Sequence, residues 1–128
     1  MAWRESFDIP PVMHNAPIPM ATRVGNMIFT SGIMGSDPDT GEMPEAVEDQ
    51  AKNCFRNLEK VLTKAGAKTS DVGHITVLLK SGASRQLVNV PWLEMFPDEH
   101  SRPARHATIV ESLNFGIQIE AIACVEGA

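Results

Sequence analysis

The sequence predicts an α+β fold in which a mixed sheet of about six strands carries two helices on one face. Three observations lead there. Val47, Ala51, Cys54, Phe55, Leu58, Val61, Leu62 and Ala65 recur at helical spacing, with Glu48, Asp49, Lys52, Arg56 and Lys60 filling the other side. Short apolar and β-branched runs lie before and after that stretch, as strands do. No disulfide pattern, low-complexity tract or internal repeat interrupts them, so the 128 residues form one domain, 1–128, large enough to bury a core unaided.

Residues 1–13 are expected to be irregular, because Pro10 and Pro11, followed by Pro17 and Pro19, remove backbone donors and disfavour helix. Ala21–Val24 and Met27–Ile33 are apolar and β-branched, and Gly25-Asn26 between them is a two-residue turn signal, so the pair predicts a β-hairpin. Asp37-Pro38-Asp39-Thr40-Gly41 has turn chemistry throughout and predicts a surface loop. The first helix follows, with Glu45 and Glu48 at its start, Lys64 at its end and Gly66 as the residue that stops it.

Val72–Lys80 predicts a strand covered on at least one face. A second helix is expected over Ala83–Phe96, beginning or kinking at Pro91. Arg105–Glu111 and Gly116–Val125 alternate as strands around Ser112–Phe115. If they pair as a hairpin, Arg105 and Glu120 lie nearly opposite one another. The expected order is thus β-β-α-β-α-β-β, with room for a short extra strand near Met43 and one sheet face still needing cover.

Composition narrows function. A net charge of −5 and the lack of any basic stripe oppose binding to a polyphosphate backbone, so nucleic acid is not an expected partner. Cys54 and Cys124 have no CxxC spacing and fall in core-like segments, which suits a reducing cytoplasm. No stretch approaches the ~20 apolar residues of a membrane span, and the first residues hold no apolar leader, so a cytoplasmic protein is expected. His14, His74, His100 and His106 show no metal-ligand spacing, and no nucleotide-binding glycine motif occurs; neither metal nor cofactor is expected.

Two late segments carry the chemistry. Arg102-Pro103-Ala104-Arg105 ends on a planar, permanently charged fork suited to a substrate carboxylate. Gln118-Ile119-Glu120-Ala121-Ile122-Ala123 places Glu120 out of phase with its apolar neighbours, on a polar strand face where it could orient water or move a proton. From periodicity alone the pair reads more readily as a cross-strand ion pair. His106, next to Arg105, points to the opposite face of its strand.

These segments, together with Gly25-Asn26-Met27-Ile28-Phe29-Thr30-Ser31-Gly32 and Asp37-Pro38-Asp39-Thr40-Gly41-Glu42, resemble the RidA (YjgF) family of enamine and imine deaminases over roughly residues 14–125. The resemblance implies a chorismate-mutase-like architecture, assembly as a homotrimer around a central barrel, and a binding cleft at each subunit interface. It implies that Arg105 binds the carboxylate of the substrate, that Glu120 positions water near the imine carbon, and that Ser31, Gly32 and Asn89 line the pocket. Where many relatives carry a tyrosine after a Gly-Pro step, this chain has Ile18-Pro19-Met20 and no tyrosine; Met20 is the residue expected to fill that volume. Ile33 replaces a common glutamine, and Ala107 stands where relatives often carry Cys or Val. The implied reaction is hydrolysis of 2-aminoacrylate or 2-iminopropionate to a 2-keto acid and ammonia without a cofactor; the alternative is a non-catalytic trimer that binds a small carboxylate.

Overall fold

The computed structural model describes residues 2–127. Seven strands form one mixed sheet: β1 (Arg4–Phe7), β2 (Ala21–Val24), β3 (Met27–Thr30), β4 (Ile33–Met34), β5 (Val72–Leu79), β6 (Ala104–Ile109) and β7 (Ile117–Cys124). Their order across the sheet is β1-β2-β3-β7-β5-β6, with β4 also pairing β7. Two helices, α1 (Val47–Lys64) and α2 (Arg85–Met95), complete the α+β fold.

The β2–β3 hairpin forms as its turn signal predicts. Val24 pairs Met27 around Gly25-Asn26, and Gly25 takes the positive φ of 59° that such a turn requires. The strand expected over Met27–Ile33 is interrupted. Its register against β7 shifts by one residue between the pairs Phe29–Ile122 and Ile33–Ile119, so Thr30–Gly32 bulge outward. Thr30 Oγ1 accepts the Ala121 N–H at 2.8 Å, so a side chain takes over where the ladder breaks.

Three expectations are corrected. The segment 1–13 is not wholly irregular, since Arg4–Phe7 adds to the edge of the sheet against β2; its residues are mostly polar and exposed, and so carry no hydrophobic signal. No strand forms at Met43. Most consequential, β6 and β7 are not a hairpin. β5 lies between them, parallel to β6 and antiparallel to β7. α2 is the crossover that a parallel neighbour demands.

The core lies between α1, α2 and one sheet face. Leu58, Val61 and Leu62 of α1 meet Ile28, Ile75, Val77, Leu79 and Ile119, all without exposed surface. Each such side chain contributes about 1.5–3 kcal/mol of burial. Cys54 joins them, and burial pushes its thiol well above the usual range. α1 also buries a polar stripe. Gln50 Nε2 donates to Pro44 O while its Oε1 accepts the Gly116 N–H, Asn53 Nδ2 donates to Gly35 O, and Asn57 Nδ2 donates to Met34 O and Ser36 O. These amides satisfy the backbone of the irregular segment after β4 and hold it to the helix. Beyond it, Asp37 accepts from the Asp39 and Thr40 amides, which holds its carboxyl below the usual carboxylate range.

α2 continues through Pro91 rather than starting there. The lost backbone bond is offset by burial of Pro91 itself, Trp92 and Phe96, with Trp92 packed edge-on against Phe96 at 4.9 Å and Phe55 at 6.5 Å. The opposite face of the sheet has no such cover among the described residues. Phe29 and Ile122, which pair across β3 and β7, remain 43% and 41% exposed there. No helix among the described residues is long and apolar enough to cross a membrane.

Candidate functional site

Register decides where the two charged residues go. Ile75, fully buried beneath the helices, pairs with Arg105 on one side and Ala121 on the other. Directly paired residues share a sheet face, so Arg105 lies on the helix-covered face. The next residue of β5, Thr76, pairs with His106 and Glu120, which therefore lie on the open face. Arg105 and Glu120 are thus two strands apart, about 10 Å in the plane of the sheet, and point away from one another. The near-opposite placement expected from a hairpin is overturned, and so is the cross-strand ion pair. The alternation already held the answer: Arg105 shares its phase with Ala107 and Ile109, whereas Glu120 is out of phase with Ile119 and Ala121.

Arg105 is held in place by α2. Its Nη2 donates to Asn89 Oδ1 at 2.9 Å, and its guanidinium carbon sits 4.8 Å from the centre of the Trp92 ring. Asn89 and Trp92 are three residues apart and so share a helix face. Stacking of this kind contributes about 0.5–1 kcal/mol at an exposed site and fixes the plane of the fork. Partial burial lowers the proton affinity of Arg105, yet an arginine stays cationic at neutral pH. Among the described residues no carboxylate lies within ion-pair distance of Arg105, which leaves it suited to an anion. The spacing of Trp92 from Asn89, three residues apart on one helix, is the signal in the sequence for this role.

The second group lies on the open face. Ser31 and Gly32 form the β3–β4 bulge, where the Ser31 N–H donates to Met20 O at 2.9 Å. Gly32 packs closely on Gln118, since a Cβ there would meet the side-chain amide of Gln118 and displace it. Gln118 shares the phase of Glu120 on β7, so the bulge, Gln118 and Glu120 form a polar row. Gln118 was noted only as a neighbour of Glu120 in the sequence; its contact with Gly32 depends on the bulge.

Met20 is placed differently from expectation. Its side chain is fully buried in the core and offers a ligand no surface in the single chain. Ile18, which follows Pro17, is 48% exposed and is the residue available at that end of β2. A cavity of about 530 Å³ lies elsewhere. It separates the Asp37–Pro44 loop from α1, and none of its lining residues belongs to either polar group.

One group therefore suits a carboxylate and the other suits water, on two faces of one sheet. Comparison with known proteins adds to this geometry. Residues 14–126 match the family model described as Endoribonuclease L-PSP. The chain is 37% identical over 111 residues to the 2-iminobutanoate/2-iminopropanoate deaminase of Escherichia coli K12, covering 84% of this chain and 86% of that protein. It is 37% identical over 113 residues to a RutC family protein of Pyrococcus abyssi, with 86% and 87% covered. Among solved structures, RidA from an Antarctic Psychrobacter superposes with a TM-score of 0.82 at 28% identity, covering 89% of this chain and 93% of that one. Sequence and fold agree that the chain belongs to the Endoribonuclease L-PSP family, which includes the RutC and RidA proteins.

Proposed function

We propose that the protein hydrolyses reactive enamine and imine intermediates, of the 2-aminoacrylate and 2-iminopropionate type, to 2-keto acids and ammonia. The observation that carries this reading is the Arg105 fork fixed on Asn89 and Trp92, which has no carboxylate partner among the described residues and so suits a substrate carboxylate. The E. coli relative named for the same reaction supports it. The net charge of −5 disfavours the nuclease activity that the family description names.

In this reading the anchor and the water-handling row are completed by different copies of the chain, in a homotrimer whose clefts lie between subunits. Arg105 sits on β6, the edge strand beside α2, while Glu120 lies on the uncovered face, so the open face of one copy set against the β6 edge of the next brings them together. Arg105 holds the carboxylate. Glu120 takes a proton from water as its oxygen attacks the C=N carbon, and the π electrons move to nitrogen, which is protonated. The carbinolamine then loses its C–N bond: the hydroxyl proton passes to the amino nitrogen by way of water or Glu120, C=O forms and nitrogen departs as ammonia. Positioning carries much of the rate, because the imine is already electrophilic.

The test is keto-acid release from 2-iminopropionate, generated in situ by an amino-acid oxidase. Wild type is expected to accelerate release, and Arg105→Ala or Glu120→Ala to lose at least about a hundredfold in kcat/KM. Refolding the two inactive variants together is expected to restore roughly a quarter of the sites, since random assortment across a heterologous interface reunites an intact Arg105 with an intact Glu120. No recovery from the mixture rejects the shared cleft. No acceleration by well-folded wild type rejects the deaminase and leaves a carboxylate-binding trimer.

A further inference from the structure

Beside the carboxylate anchor lies a second, unused cation. A cavity of about 60 Å³ opens between β5, α2 and β6, with Val77, Leu79, Val88 and Ala107 as its apolar walls and both Arg85 and Arg105 on its lining. Arg85 precedes Asn89 by one helical turn, about 6 Å along the axis, and so presents to the same side of α2 as the residues that hold Arg105. Among the described residues the ion pairs are Arg56 with Asp39 and Glu99 with His100, and Arg85 makes no side-chain hydrogen bond. Arg85 also opens α2, where the positive end of the helix dipole makes a cation unfavourable and an anion favourable, and the first turn holds no acidic residue.

From these observations we infer that the cleft selects imino acids whose side chain ends in a second carboxylate, of the 2-iminosuccinate or 2-iminoglutarate class, with Arg105 on the carboxylate next to the imine and Arg85 on the distal one. This inference rests on the reading of the same cleft as the imine site. The chemistry of the walls fits. The cavity holds about two water-sized groups, enough for the one or two methylenes between the imine carbon and the distal carboxylate. Those methylenes lie against Val77, Val88 and the small Ala107, while the two charged ends meet the two guanidinium groups. Two like charges that share a cavity repel one another, and a dianion relieves what a monoanion only halves. Arg85 is a specificity residue in this scheme: it touches substrate at the end remote from the reacting carbon.

The experiment measures turnover and binding separately. Turnover is compared for imines generated from aspartate or glutamate and from alanine by suitable amino-acid oxidases; binding is compared for the stable products oxaloacetate and pyruvate by calorimetry. The wild type is expected to favour the dicarboxylate about tenfold to a hundredfold in both kcat/KM and Kd, the size of one charge-assisted interaction. Arg85→Gln is expected to bring both ratios close to one, and Arg85→Lys to keep part of the preference, because it retains the charge without the fork. Arg85 is exposed, so neither change disturbs the core. A wild type with no dicarboxylate preference, or an Arg85→Gln variant that keeps it, overturns the inference. If neither imine is turned over while oxaloacetate still binds tighter than pyruvate through Arg85, the deaminase reading fails and the dicarboxylate site stands.

Discussion

The two faces of the sheet differ in how far a single chain finishes them. On the covered face, Arg105 has a hydrogen-bond partner, a stacking partner and a helix that sets both. On the open face, Glu120 has none of these among the described residues; Thr76 and His106 lie beside it on one side, and the exposed Ile122 of its own strand and Phe29 of β3 lie towards the other. Arg105, whose proposed task is to recognise one shape, is pre-organised within the chain, whereas Glu120, whose proposed task is to handle water, lies on a face that no helix covers among the described residues. The contrast teaches that the proposed chemistry would divide along the same line as the packing: the packed half would bind, and the uncovered half would need a second surface.

That contrast can be broken most severely at the open face. Ile122→Asp places a charge beside Phe29, where the chain itself tolerates it but a contact between copies would not. The expected outcome is a folded protein of unchanged circular dichroism whose mass by analytical ultracentrifugation falls to one chain and whose imine hydrolysis is abolished. A trimeric, active Ile122→Asp protein would show that this face is not where the copies meet.

A smaller effect separates packing from chemistry at two glycines three residues apart in the sequence. A Cβ at Gly35 would strike the α1 backbone at Gln50, which cannot yield, so Gly35→Ala is expected to cost about 1–3 kcal/mol in urea unfolding. A Cβ at Gly32 meets the far end of the Gln118 side chain, which can swing away. Gly32→Ala is therefore expected to cost under about 1 kcal/mol in stability while lowering kcat, because the amide beside Glu120 is displaced. Equal stability losses at the two positions would remove the distinction.

The gentlest change falls on the covered face. Asn89→Ala removes the acceptor that fixes Arg105 but leaves the Trp92 stack, so KM for the imine is expected to rise about three- to tenfold with kcat held within about twofold. Steady-state kinetics on matched protein concentrations decide it. A fall in kcat with unchanged KM would mean that Asn89 acts on the reacting atoms rather than on the anchor.

Much of this architecture was legible before any coordinates. The periodicity from Val47 to Ala65 and the Gly25-Asn26 turn are local signals, and α1 and the β2–β3 hairpin form where they predict. β1 was missed because Arg4-Glu5-Ser6 carries no apolar pattern and pairs only because β2 offers it an edge. Nothing in the sequence marks Gln50, Asn53 and Asn57 for burial, since an amide shows no preference for it until irregular backbone supplies its partners.

By itself the sequence determined the elements, the family motifs and the phase of each charged residue within its own strand, because those depend on neighbours a few positions away. Only the tertiary structure decided that β5 separates β6 from β7, and hence that Arg105 and Glu120 lie two strands apart. Strand order is set by pairings between residues far apart in the chain, where burial of Ile75, Val77 and Ile119 against α1 and α2 selects one arrangement among several that the same alternation allows.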